Sequence, residues 1–456
     1  MNRSARWIPI DNSRLPLSLV PAGLAGLLFA MLVACGKNSS SGGTPPPPVP
    51  TCQGGGILYD TGGSNGFGRV TVTDASIPNF APIDIAFVPG AGGAFVVASQ
   101  NGRVHYFNGG CTPVNSIDLT GILPVGSSSG EQGLLNVEFH PDYANNHYLF
   151  AYFTSVANTV NSVSRLTVSF DTAGNLVLGD VVRIIDFRKA DSPAASNHNG
   201  GGLVFAPDAS LLASVGDGGA TSSTAQDDGR LLGKVIRILP SLTAGTGGYS
   251  IPVGNMFAGT NALCSNVALS ATACPEILAK GLRNPFRLVI DGNIAFIGDV
   301  GSNYEEINSF DYTRNTLNFG WPTHDGPVGA SALPGYRNPI VAYRRGVEGV
   351  DFRAEDPMAV ASGSASVMIG AVYHGPQYGG LLEGALLFGD FYDGYNRYVG
   401  VGPGADGNGD ITDTDGVPGS HLVHEDAITS YVRGPDGFIY MTALFASPAV
   451  YRLVRP

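Results

Sequence analysis

Apolar residues recur along this chain as short paired runs separated by a turn. Ile85-Ala86-Phe87-Val88 and Ala94-Phe95-Val96-Val97 flank one such turn; Leu135 to Phe139 and Tyr148 to Tyr152 flank a Pro-Asp turn. Leu203-Val204-Phe205 with Leu211 to Val215, and Leu288-Val289-Ile290 with Ile294 to Ile297, repeat the arrangement. Gly370 to Tyr373 with Gly384 to Phe388, and Ser430 to Arg433 with Phe438 to Met441, complete six copies. Short β-branched and aromatic runs bounded by Pro, Asp and Gly predict β-hairpins. A hairpin cannot bury its own faces. Six hairpins arranged radially share a core and leave only short edges, so the pattern predicts an all-β, six-bladed β-propeller. A β-sandwich with insertions satisfies the same pattern. The copies are unevenly spaced, so long loops are inserted between some of them, and such loops carry function.

The N-terminus follows a different pattern. Arg3, Arg6 and Arg14 precede an almost uncharged apolar run from Leu15 to Ala34, which ends in Leu32-Val33-Ala34-Cys35. Small residues before a Cys at the end of an apolar run resemble a bacterial lipobox, which implies a lipoprotein signal peptide over 1–34 and lipidation of Cys35. A spanning anchor and an ordinary cleaved signal are the alternatives. Residues 35–51, with Ser39-Ser40-Ser41-Gly42-Gly43 and Pro45 to Pro48, read as a Gly/Ser/Pro tether with no apolar face to pack. The propeller is expected over 52–456. Gly36, in place of the Asp that favours inner-membrane retention, points to an outer membrane where there is one. The protein is thus expected on the periplasmic or cell-surface side, touching membrane through its lipid alone.

Charge narrows the partners. The net charge of -12 repels nucleic acid. Only 14% of residues are charged and 64 are glycine, which suits many short strands and tight turns. Four cysteines remain beyond Cys35, and an exported compartment is oxidising. Cys264 and Cys274 are close in a Ser/Ala-rich loop and are expected to pair, which leaves Cys52 with Cys111.

Several segments occur in a telling order: Gly130-Glu131-Gln132-Gly133, His198-Asn199-Gly200-Gly201, Gly216-Asp217-Gly218-Gly219, Gly281-Leu282-Arg283-Asn284-Pro285, Gly298-Asp299-Val300-Gly301, Glu305-Glu306-Ile307-Asn308 and Asn318-Phe319-Gly320-Trp321-Pro322. From about residue 80 onward this set resembles the pyrroloquinoline quinone (PQQ)-dependent glucose/sorbosone dehydrogenases and, more distantly, hedgehog-interacting protein. The resemblance implies a six-bladed propeller that oxidises a sugar or other alcohol. The binding-protein relative keeps a second function open, a non-catalytic surface propeller that binds glycan or protein.

Oxidising a hydroxyl requires a base for the proton and a cofactor for the hydride. The resemblance makes His198 the base, Asp217 its support and Arg283 the group that stabilises the reduced quinone. It assigns Glu131, Gln132, Asn199, Arg283 and Asn284 to the cofactor, the backbone carbonyls of Gly301 and Ser302 to an active-site calcium, and Glu305 and Glu306 to a separate structural calcium. Residue by residue, a turn histidine, an Asp-Gly turn and solvated turn acids are the simpler readings of the same positions. The acidic loop 406–415 reads as a polar turn, because no Glu closes it as a calcium loop requires. One departure stands out. Tyr392 falls where quinone-binding relatives carry a Lys, and Ala427-Ile428-Thr429 lacks the two Arg residues that such enzymes place there. Asp390, Asp393 and Asp426 add negative charge nearby, with Arg397 and Arg433 as the remaining candidate cations.

Overall fold

Among the described residues, six sheets of four or more strands and one two-stranded pairing, Glu348–Val350 with Pro357–Ala359, make up nearly all the regular structure. The structure, a computed structural model, describes residues 58–59 and 66–455, except 74–75, 127, 190–195, 220–221, 260–261, 315–316, 328–335, 346–347, 351–356, 360–363, 393, 402–420, 426 and 446. The leader, the tether, Cys35, Cys52, Asp393, Asp426 and the loop 406–415 lie outside the described residues.

The six sheets are the six predicted blades. Their innermost strands are Pro82–Phe87, Leu134–Phe139, Leu203–Phe205, Pro285–Asp291, Val367–Tyr373 and Ile428–Arg433, for blades 1 to 6 in chain order. Each packs against the next, and the sixth returns to the first, which closes the ring. Blade 6 is completed from the other end of the chain: Gly68–Thr71 pairs antiparallel with Ala449–Val454. This joins N-terminal to C-terminal sequence and leaves the ring without an open seam.

The six hairpins legible in the sequence are the two inner strands of each blade. The reason is burial. Phe95–Ser99, Tyr148–Thr154, Leu211–Val215 and Ile439–Ala443 are buried at every position. A strand covered on both faces reads as a continuous apolar run. Outer strands such as Asn115–Asp118 alternate or lie exposed, so they carry no comparable signal. Blade 3 has the largest insertion, between Lys234–Pro240 and Ile277–Lys280. The expected Cys264–Cys274 disulfide closes part of it, with both cysteines buried. Cys111 is also disulfide-bonded.

The axis is plugged by a buried cation. Arg287, on the inner strand of blade 4, donates to the carbonyls of Thr429 (2.7 Å), Leu135 (3.1 Å) and Ile83 (2.7 Å), in blades 6, 2 and 1. The Asp84 carboxylate lies close enough to interact electrostatically with it. Asp84 in turn accepts from Ser430 Oγ at 2.7 Å and from Val137 N at 3.2 Å. Burial raises the Asp84 pKa, and Arg287 and these donors oppose that rise. Arg287 lines one of two cavities walled by the innermost strands; the second is walled by residues such as Ile83, Phe286, Met368 and Thr429.

Candidate active site

One end of the propeller gathers the predicted chemistry, and strand order explains why. That end is where innermost strands begin and second strands finish. Glu131 precedes Leu134–Phe139, His198 and Asn199 precede Leu203–Phe205, and Arg283 and Asn284 precede Pro285–Asp291. Asp217 follows Leu211–Val215, and Asp299 ends Ile294–Asp299. Residues far apart in sequence therefore meet at one mouth.

His198 and Asp217 form the centre. His198 Nδ1 lies 2.7 Å from Asp217 Oδ1, and both residues are buried. Asp217 also accepts from Gly219 N at 2.8 Å and from Trp321 Nε1 at 2.9 Å. A carboxylate on Nδ1 fixes the tautomer and leaves Nε2 to accept a proton. The imidazole keeps 11% of its side-chain surface exposed, although His198 itself does not line the cavity described below. His198 adopts φ +52, a left-handed conformation that disfavours side chains. Its loop is held there by close backbone approach. A Cβ at Gly200 would collide with the Ser214 carbonyl, and one at Gly216 with the His198 carbonyl. The glycines around this histidine are therefore structural requirements.

Arg283 and Asn284 are set by Asp299, whose carboxylate accepts both of their backbone N–H groups, at 3.0 and 2.7 Å. Burial, with Glu306 beside it, pushes the Asp299 carboxyl well above its ordinary range. The Arg283 guanidinium donates to Val300 O at 2.9 Å and stacks on Trp321 at 5.5 Å. Asn284 donates to Glu131 Oε2 at 3.0 Å and accepts from Gly200 N at 3.0 Å. Asn199 Nδ2 donates to Glu131 O at 3.2 Å. Five predicted residues, Glu131, His198, Asn199, Asp217 and Asn284, are thus joined with Arg283 in one network. Gln132 stands apart from it: its N–H bonds Ser129 O at 3.1 Å, and it does not line the cavity.

That cavity, of about 220 Å³, lies beside the network over the axis. Glu131, Asn197 and Asn284 line its near side, and Phe391, Tyr392 and Phe445 line the side of blades 5 and 6. Among the described residues no Lys or Arg lines it. Arg433 lines the other axial cavity, beyond Arg287, and Arg397 lines neither. Lys189 is buried and bonded to Asn158 Oδ1 at 2.5 Å; burial lowers its pKa to about 8, and Glu131 opposes that fall.

The four positions expected to hold calcium each have a protein partner. Arg345 Nη1 donates to Gly301 O at 2.6 Å, and its Nε lies 3.5 Å from Glu305 Oε1. Ser302, Asn303 and Tyr304 turn their backbone N–H groups to the Asp325 carboxylate. Glu305 accepts from Val367 N at 2.9 Å, whereas Glu306 accepts from Gly326 N at 2.6 Å and Asn308 Nδ2 at 3.0 Å. Neighbouring residues on one strand face opposite sides, so the two carboxylates serve different neighbours. Both are buried, which pushes Glu306 up to about 7 and Glu305 well above its ordinary range. Among the described residues the one cluster of metal-ligating side chains is Cys264, Cys274 and Glu276, whose cysteines are tied in a disulfide.

Sequence reasoning passed over Trp321, Asp299 and Arg345. Trp321 and Asp299 sit inside the ordered motifs, but nothing in their spacing shows that they hold Asp217 and the Arg283–Asn284 backbone. Arg345 lies in no motif.

Residues 80–387 match the family described as Glucose / Sorbosone dehydrogenase. The chain is 29% identical over 306 residues to the HIPL2 protein of Arabidopsis thaliana, covering 58% of this chain and 40% of that protein. It spans about two fifths of the length of the first curated relatives it matches. It is also 29% identical over 97 residues to quinoprotein glucose dehydrogenase B of Acinetobacter calcoaceticus, covering 21% of this chain and 20% of that one. In structure it resembles the soluble aldose sugar dehydrogenase of Escherichia coli, with TM-score 0.63 and 18% identity over 86% of this chain and 100% of that one. The PQQ-bound aldose sugar dehydrogenase of Streptomyces coelicolor gives TM-score 0.59 and 21% identity over 86% of this chain and 99% of that one. The propeller, the ordered motifs and the family match agree: this chain belongs to the glucose/sorbosone dehydrogenase family.

Proposed function

We propose that the chain oxidises a sugar or other alcohol, with His198 Nε2 taking the hydroxyl proton. The observation that carries this reading is the His198–Asp217 hydrogen bond, with Trp321 holding the second Asp217 oxygen. Asp217 orients the imidazole and stabilises its charged form once the proton arrives. Arg283 and Asn284 supply donors for charge that develops beside it.

No side chain accepts hydride, so a cofactor must. The likeness to a PQQ-bound sugar dehydrogenase supports a quinone in that role. The donors on the Arg283–Asn284 side suit a quinone's carbonyl edge. The three carboxylates of PQQ fit the cavity poorly: its described lining holds no Lys or Arg, and Glu131 adds a carboxylate. This one-sided fit is what favours the second reading, a surface propeller that binds a glycan or protein without turnover. The Arg-flanked apolar leader and Cys35 support an exported, lipid-anchored location for either.

The test is titration of the protein with PQQ, with and without calcium, followed by absorbance and by dye-coupled oxidation of a sugar panel. Turnover that falls about 10²–10⁴-fold in His198→Ala, the span of general-base catalysis, supports the dehydrogenase. Folded protein that neither binds PQQ nor oxidises any sugar leaves the binding propeller as the better account.

A further inference from the structure

Between Arg237 and Glu276 the chain carries no Asp, Glu, Lys, Arg or His. This stretch holds the blade 3 insertion, and its surface is unusual in a second way. Of eleven large apolar side chains that lie exposed among the described residues, five belong to it: Leu239, Leu242, Val253, Leu263 and Leu269. Val253 is 95% exposed. Single exposed apolar residues are ordinary, but a concentration of them in one uncharged segment marks an interaction surface.

The insertion is fastened to the propeller from beneath. Arg165 Nη2 donates to Thr243 O at 2.8 Å, the Tyr148 hydroxyl to Leu242 O at 2.9 Å and Arg230 Nη1 to Ala268 O at 2.8 Å. Asn255 Nδ2 donates to Arg237 O and Pro275 O at 2.8 and 2.9 Å, and the Cys264–Cys274 disulfide closes the last part. These backbone carbonyls are satisfied from within, while the five apolar side chains face outward. Lys234–Pro240 runs away from the mouth. Ser270 N and Cys274 N then donate to Gly229 O and Asp228 O, in the loop at the mouth, at 2.9 and 2.8 Å. The insertion therefore follows the outer part of blade 3 from one end to the other.

We propose that this edge rests on a lipid bilayer, with its apolar side chains at the boundary of headgroups and acyl chains. Charge and reach both favour a bilayer. Anionic headgroups repel a chain of net charge -12, and a segment without charge is where such a chain can approach them. The sequence from Cys35 to Leu58 spans at most about 80 Å, against a radius of gyration of about 21 Å for a compact domain of about 400 residues. A chain anchored at Cys35 can therefore turn any edge to the membrane, including blade 3, which stands across the ring from Leu58–Tyr59 in blade 6. The contact is apolar and so independent of salt. It lays the propeller axis along the membrane plane and leaves the mouth open to the side. The proposal rests on the anchored location proposed above and is independent of the activity.

The experiment reconstitutes the full-length protein in vesicles of phosphatidylethanolamine and phosphatidylglycerol that carry a diazirine on a phospholipid acyl chain. Flotation tests anchoring, and mass spectrometry after illumination locates the cross-links. Floating protein cross-linked at these five side chains, equally at low and high salt, is the expected result. Val253→Asp and Leu269→Asp are expected to lower that cross-linking about tenfold with flotation unchanged, whereas Val253→Ile retains it. Both side chains are exposed, so the variants are expected to keep the wild-type melting temperature, which a thermal scan verifies. Protein that floats but cross-links elsewhere, or as strongly in the aspartate variants, overturns the proposal and leaves the anchor standing. Protein that does not float overturns the anchored location and the proposal with it. A dimer in detergent that Val253→Asp dissociates assigns the edge to a second copy and likewise overturns the proposal.

Discussion

Arg345 illustrates how one side chain changes the chemistry of a site. Its guanidinium donates to Gly301 O and approaches Glu305, which were expected at an active-site and at a separate structural calcium respectively. Burial, with Asp390 beside it, raises the Glu305 carboxyl, and the Arg345 guanidinium 3.5 Å away opposes that rise from within the chain. Calcium chelation is therefore expected to leave the melting temperature unchanged. Arg345→Ala is expected to lower it, and added calcium to recover part of the loss. Thermal scans with EDTA and with calcium decide this, and a wild-type melting temperature that falls in EDTA would count against it. Trp321 is a second such case. It touches Asp217 without being part of the His198 pair, so it is a positioning residue. Trp321→Phe keeps the packing and loses one donor to Asp217. Turnover is expected to fall while KM holds, and the pH profile to shift, because the carboxylate bonded to His198 has lost a donor. An unmoved pH profile would make its role merely structural.

Between elements, blades 4 and 5 are joined at the edge away from the site by a small charged cluster. His374 follows the inner strand of blade 5, with Nδ1 2.9 Å from Glu383 and Nε2 3.1 Å from Asp291 in the blade 4 hairpin. The Glu383 hydrogen bond is the first cause raising the His374 pKa above 6.5. Glu383 is lowered from 4.5 by the same bond. A raised imidazole contributes stability that is complete below its unfolded value and is lost as pH climbs through the folded one. A lowered carboxylate contributes stability that is complete above its unfolded value and is lost as pH falls. The cluster therefore contributes most between 4.5 and 6.5. The difference in melting temperature between wild type and His374→Ala is expected to peak in that window and shrink above it. The groups are half exposed, so salt will diminish the effect. A difference independent of pH would remove the cluster from the account.

At the scale of the whole molecule, Arg287 ties blade 4 to blades 1, 2 and 6 across the axis, close to the electrostatic reach of Asp84. Arg287→Met is expected to destabilise the ring by about 3–5 kcal/mol, since it leaves a buried carboxylate without its cation. A urea midpoint that barely moves would show that the ring closes without this plug. The amino-acid sequence by itself determined the number of blades, because strands buried on both faces must be apolar throughout and six pairs of them were present. It also carried the identities of His198, Asp217, Arg283 and Asn284, because glycine-bounded motifs around them are local and keep their order. It did not carry the outer strands, such as Asn115–Asp118, whose exposure erases the apolar signal. Nor did it carry the pairing of Gly68–Thr71 with Ala449–Val454, which joins the two ends of the chain. Only the tertiary structure decided that Trp321 and Asp299 hold the site, that Arg345 stands beside Glu305, and that aromatic rings form a cavity wall whose described lining has no cation. Those relations depend on loops from different blades meeting at one mouth, and ring closure, not local sequence, sets which loops those are.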